Sequence, residues 1–174
     1  MNRLGPDFDE FVRSASGRLL RLAVLLTRER GRAEDLVQTC LVRTAGRWSV
    51  ARDNPSAYAR RVLVNLARNR WRDASRRPAE VSGLSGIDPA EDPADDVIVQ
   101  RDAMSRLLAE LPTGQRTVLA LRYFEDLPVA EVAAILGCSQ GNVKSQTNRA
   151  LTTLRALLTA PVPPTLEVRS DQRR

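Results

Sequence analysis

Apolar positions return every three or four residues through most of this chain, and no stretch alternates with period two. Phe8, Phe11, Leu19, Leu22, Ala23 and Leu26 share one side of a helix predicted to run from about Asp7 to Arg28, with Asp7 and Glu10 spaced as a capping box and Gly31 as the break. AEDLVQTCLVRTA restarts the pattern, with Leu36, Val37, Cys40, Leu41 and Thr44 inward and Asp35, Gln38, Thr39 and Arg43 outward. Asn54 followed by Pro55 is a strong start signal for a helix through roughly Arg76. Further on, VIVQRDAMSRLLAEL is amphipathic, and LPTGQRTVLALRYFEDLP adds a helix over roughly 113–124. VAEVAAIL then reads as a short helix, GCS as a turn, and QGNVKSQTNRALTTLRALL as a longer helix.

Between the two helical blocks, PAEVSGLSGIDPAEDPADD (78–96) holds three prolines, two glycines and six acids without one base, a composition that buries too little apolar surface to fold. The expected plan is therefore all-α: a helical domain at 6–77, a flexible acidic linker at 78–96, a second helical domain at 97–158, and a disordered tail at 159–174. Each block is near the lower size limit for independent folding.

The 174 residues carry a formal charge of +6 and a pI near 10.5, which favours a polyanionic partner. Lys144 is the only lysine, and all other basic residues are arginine. With no histidine, no phosphate-binding glycine loop and no metal-ligand spacing, neither an enzyme nor a bound cofactor is expected, and Cys40 and Cys138 read as free thiols. No run of eighteen apolar residues exists, and MNRLGPDFDEF has acids where a signal peptide needs an apolar core. A cytoplasmic protein without membrane insertion is expected, and no small-molecule ligand is evident.

The last two helices have helix-turn-helix spacing: Ala133 and Gly137 are four apart, and Val143 lies six further on, with Ile135, Leu136 and Leu151 completing the apolar side. Ser139 is placed to cap the second helix and aim its positive end at a phosphate. Gln140, Asn142, Lys144, Ser145, Asn148 and Arg149 then lie on exposed faces, and no acid occurs from Gly137 to Leu166. Amides, hydroxyls and bases on one face suit hydrogen bonds to base edges and phosphates in a major groove.

LPTGQRTVLALRYFEDLPVAEVAAILGCSQGNVKSQTNRALTTLR resembles the C-terminal DNA-binding domain of a bacterial sigma-70 family sigma factor of the extracytoplasmic-function (ECF) group, SigE-type subgroup. AEDLVQTCLVRTAGRW and NPSAYARRVLVNLARNRWRDASRR resemble the polymerase-binding and promoter-melting helices of its N-terminal domain. The resemblance implies a protein that binds core RNA polymerase and opens promoters, with promoter DNA as the second partner and an anti-sigma protein as a further one. It implies −35 contacts by the residues named above, with Arg116 and Arg122 on the DNA backbone. For the −10 element it implies the loop WSVARDN, with Trp48, Arg52 and Asn54, and the following helix, with Arg60, Arg61, Asn65, Arg68, Asn69, Trp71 and Arg72. Tyr58, in register with Val62 and Leu66, reads as core. Asp35, Gln38, Thr39, Val42 and Arg43 would meet the clamp helices of the polymerase. The main rival is a stand-alone helix-turn-helix regulator, but residues 6–77 offer no acidic phosphorylation pocket and no strands. A helical adaptor that binds protein alone leaves the acid-free face unexplained.

Overall fold

A computed structural model describes residues 5–76 and 106–159; the expected linker, the start of the second block and all but the first residue of the expected tail lie outside them. Among the described residues every regular element is helical. In chain order these are α1 (Pro6–Thr27), α2 (Arg30–Ala45), α3 (Trp48–Ala51), α4 (Pro55–Arg76), α5 (Thr113–Leu119) with a π-helical turn (Ala120–Phe124), α6 (Val129–Leu136) and α7 (Gln140–Thr159).

The first helix starts by a different route from the one its sequence suggests. Gly5 is the N-cap and Pro6 supplies the preset first turn, while no side chain caps the helix, so the Asp7/Glu10 capping box does not form. The chain breaks at Arg28, which takes the left-handed conformation at φ 64° and donates its N–H to Val24 O, rather than at Gly31, which lies inside α2. Here the predicted breaker is absorbed by a helix that tertiary packing supports.

Leu22, Leu26, Leu36 and Leu63 are fully buried where α1, α2 and α4 meet. Burial of a leucine side chain contributes about 1.5–3 kcal/mol, so this cluster fixes the three-helix arrangement. Phe8, Phe11 and Trp48 close one end, with Trp48 edge-on to Phe8 at a centroid distance of 5.0 Å. That packing draws residues 48–51 into one helical turn, where the sequence suggested a loop. Asn54 accepts the Ala57 N–H at 3.1 Å, the cap that its position before Pro55 predicts.

In the second block Val118, Leu121, Val132, Val143 and Ala150 are buried, and Gly137 turns the chain at φ 62° between α6 and α7. The expected helix over 113–124 changes pitch at Ala120, where Glu125 N–H bonds back five residues to Ala120 O at 3.0 Å. The apolar cores of the two blocks are continuous, because α1 packs on α5 and α4 packs on α6.

Candidate nucleic-acid interface

Ser139 Oγ accepts the Asn142 N–H at 3.1 Å and starts α7 as an N-cap. From there Val143, Thr147 and Ala150 recur at helical spacing and are buried, which fixes the rotation of the helix about its axis. Ser145, Asn148 and Arg149 fall on the side away from that stripe and are exposed, while Lys144, about a quarter turn from it, and Gln140 are exposed at its flank. Asn142 is exposed too, but it sits on the edge turned toward the first block, beside the half-buried Gln146. The surface of α7 thus presents one cation, amides and hydroxyls around a free helix N-terminus, a set of donors and acceptors matched to base edges and phosphates.

The two arginines expected on the DNA backbone behave differently. Arg116 is buried, only 4% exposed, and donates to the carbonyls of Leu111 (3.0 Å), Ala109 (3.4 Å) and Leu26 (3.4 Å). Its expected phosphate contact is therefore corrected: no phosphate reaches a side chain enclosed this way. Burial, with the charge of Arg28 nearby, lowers the guanidinium pKa, although an arginine remains charged. Arg122 is half-buried, bonds Leu127 O and lies over the Tyr123 ring at 5.8 Å, so its reach is shared with the turn that follows it.

On α4 the expected single-strand contacts divide by face. Arg61, Asn65 and Arg72 are exposed and Arg68 half-buried along one stripe, with Asn69 exposed at its side. Arg72 bonds Asn69 Oδ1, which orders the two side chains on that surface. Arg60 and Trp71 are turned a quarter of the helix away, toward the second block. Arg60 is 12% exposed and pairs with Glu125 at 2.7 Å and Glu131 at 3.4 Å, while Trp71 is half-buried against the core. Trp48 is half-buried, with its ring packed against Phe8 and Phe11. Arg52 and Asn54 are exposed, although the Asn54 oxygen serves the cap of α4. Tyr58 is half-buried, lining a shallow depression with Val62, Asn65 and Arg43.

The outward face of α2 carries Asp35, Gln38, Val42 and Arg43 exposed, with Thr39 half-buried and its hydroxyl donated to Asp35 O at 2.8 Å. Val42 is 67% exposed, an apolar side chain left in water in the middle of a polar face. Sequence reasoning passed over Val50, 65% exposed on the short α3 turn, and Glu125, the buried acid that holds Arg60. Val50 gives no periodic signal in so short an element, and Glu125 has partners far away in sequence that no spacing rule reaches.

Against known proteins, the chain is 39% identical over 151 residues to the RNA polymerase sigma-E factor of Streptomyces avermitilis, covering 86% of this chain and 83% of that one. The chain belongs to the sigma-70 family of RNA polymerase sigma factors. Within this sigma factor, residues 11–77 match Sigma-70 region 2 and residues 101–154 match Sigma-70, region 4. Its ECF grouping agrees with 30% identity over 142 residues to the ECF sigma factor EcfG of Rhodopseudomonas palustris, covering 80% and 78% of the two chains. Among solved structures, the sigma factor RpoE of Bartonella quintana, crystallised with the anti-sigma factor NepR, superposes with a TM-score of 0.66 at 26% identity, over 91% of this chain and all of that one.

Proposed function

We propose that this sigma factor binds core RNA polymerase and directs promoter-specific initiation, with residues 97–158 reading the −35 element and residues 6–77 binding both polymerase and the −10 element. It works by recognition and carries out no chemistry of its own, in the cytoplasm where polymerase acts. The observation that carries this reading is the acid-free, Ser139-capped surface of α7, where Ser145, Asn148 and Arg149 stand away from the buried stripe and Lys144 is exposed beside it. Lys144 and Arg149 lie on or beside phosphates, and the amides and Ser145 reach base edges. Good bidentate base contacts discriminate by about 1–3 kcal/mol each, which sets the scale of −35 specificity.

The α4 stripe of Arg61, Asn65, Arg68 and Arg72 tracks the backbone of the melted −10 strand, and the turn before it, with Val50 and Arg52, reads the flipped bases. The α2 face around the exposed Val42 docks on the polymerase clamp. The Bartonella relative was captured with an anti-sigma protein, which supports a partner of that kind here.

A photocrosslinker at position 145 and another at position 61, each in the complex with core polymerase on promoter DNA, test the assignment. The first is expected to mark −35 duplex and the second the −10 strand. Crosslinks from both positions to one duplex operator, in the absence of polymerase, favour a stand-alone regulator.

A further inference from the structure

Between α4 and α7 lies a groove of about 280 Å³, just under the roughly 300–1,000 Å³ typical of small-molecule sites. The buried Val118, Leu136 and Val143 supply its apolar part. Trp71, half-buried against the core, lines it from α4 with Arg68 and Arg72, and Asn142 and Gln146 line it from α7. Among the described residues that line it there is no acid. Glu125 of the second block pairs with Arg18 at 3.1 Å and Arg60 at 2.7 Å of the first, which holds the two sides of the groove in place.

The chemistry of this set is specific. An indole beside aliphatic side chains offers a stacking surface to a flat aromatic ring. Arg68 and Arg72 are spaced as i and i+4, so two guanidiniums share one face of α4, and arginine binds a phosphate through paired N–H donors. Asn142 and Gln146 have the same spacing on α7, and carboxamides are the side chains that pair with the N6 and N7 edge of adenine. A ring, a polar edge and an anion each find a complement in one small space. Two of these residues are also spare: Trp71 is turned from the exposed stripe of α4, and Gln146 is half-buried on the edge of α7 that faces the first block.

We propose that this groove binds an adenine mononucleotide, with the base stacked on Trp71 and paired with Asn142 and Gln146, and the phosphate held by Arg68 and Arg72. Both blocks contribute to the site, so neither α4 nor α7 alone supplies it. Arg68, Arg72 and Asn142 also belong to the promoter contacts assigned above, so nucleotide and promoter DNA exclude each other at these side chains. That consequence rests on the promoter reading, whereas the site itself does not.

The test uses the full chain without polymerase. Trp48 and Trp71 are the only tryptophans, so W48F leaves Trp71 as the sole indole reporter. AMP is titrated into W48F with fluorescence detection, and calorimetry on the wild type compares AMP, GMP, CMP, adenosine and inorganic phosphate. The expected result is saturable quenching by AMP and weaker binding of every other probe. Gln146→Leu and Arg68→Ala, checked for unchanged helix content by circular dichroism, each weaken AMP binding on the order of tenfold. Gln146 separates this groove from the α4 surface alone, because it comes from the other block. No saturable binding, equal binding of GMP or of inorganic phosphate, or unchanged AMP affinity in Gln146→Leu overturns the proposal. If AMP binds with the expected preference and a single-stranded −10 oligonucleotide does not displace it, the nucleotide site stands and the assignment of Arg68 and Arg72 to the promoter fails.

Discussion

Lys144 is exposed about a quarter turn from the stripe of Val143, Thr147 and Ala150 that locks the rotation of α7, so its direction is set by packing. K144A is expected to weaken −35 binding on the order of tenfold and to lower the salt dependence of binding by about one phosphate contact. Equal affinity and equal salt slope make it a solvated side chain. Ser139→Ala removes the bond to the Asn142 N–H and should cost about 1 kcal/mol in urea unfolding, with −35 affinity falling further because the phosphate-binding end frays. Cys40 is a different kind of residue: it is fully buried, its thiol donates to Ala59 O at 3.1 Å, and burial pushes its pKa from 9.0 up to about 11. Its folded-state value lies above that of the unfolded chain. From about pH 9 to about pH 11 the unfolded chain has released a proton that the folded chain retains, so stability is full below that window and falls as pH rises through it. Urea midpoints of the wild type and Cys40→Ala across that range check this, and the variant should lack the thiol's share of the slope.

At the scale of elements, the turn between α6 and α7 decides whether the reading helix is presented at all. Gly137 sits at φ 62° with open space where a Cβ would go, so Gly137→Ala meets backbone strain without a clash. A loss of about 1–2 kcal/mol in thermal or urea unfolding is expected, and a neutral result contradicts the left-handed turn. Much of this level was legible in the sequence. Asn54 with Pro55, Ser139, Gly137, the buried stripe of α2 and Val143 of α7 follow from local rules, because caps, glycine turns and helical periodicity act within a few residues. The start of α1, its break at Arg28, the turn at 48–51 and the π-helical turn did not follow, because each is decided by contacts beyond the local window or by a choice between competing caps. Arg116 was misread for the same reason: an arginine on a helix next to a DNA-binding motif looks like a phosphate contact until the carbonyls of Ala109, Leu111 and Leu26 are seen around it.

Over the whole molecule, two blocks separated by an acidic stretch of sequence pack through one continuous apolar core and a charged clasp. Composition alone suggested two independent domains, because the partners Arg18, Arg60 and Glu125 are separated by many residues and only the fold brings them together. The proposed reading surfaces keep Lys144, Ser145 and Asn148 on α7 and Arg61 and Asn65 on α4 exposed, while Asn142 with Gln146 and Arg68 with Trp71 line one groove between the blocks. The most direct measurement is initiation from a library of promoter fragments by purified core RNA polymerase with and without this chain. The account predicts transcripts from a discrete set of fragments sharing paired −10 and −35 sequences, only when the chain is present, with K144A reducing the yield from those same fragments. Core polymerase that gains no promoter-specific initiation, while the chain alone binds a duplex operator tightly, would contradict it.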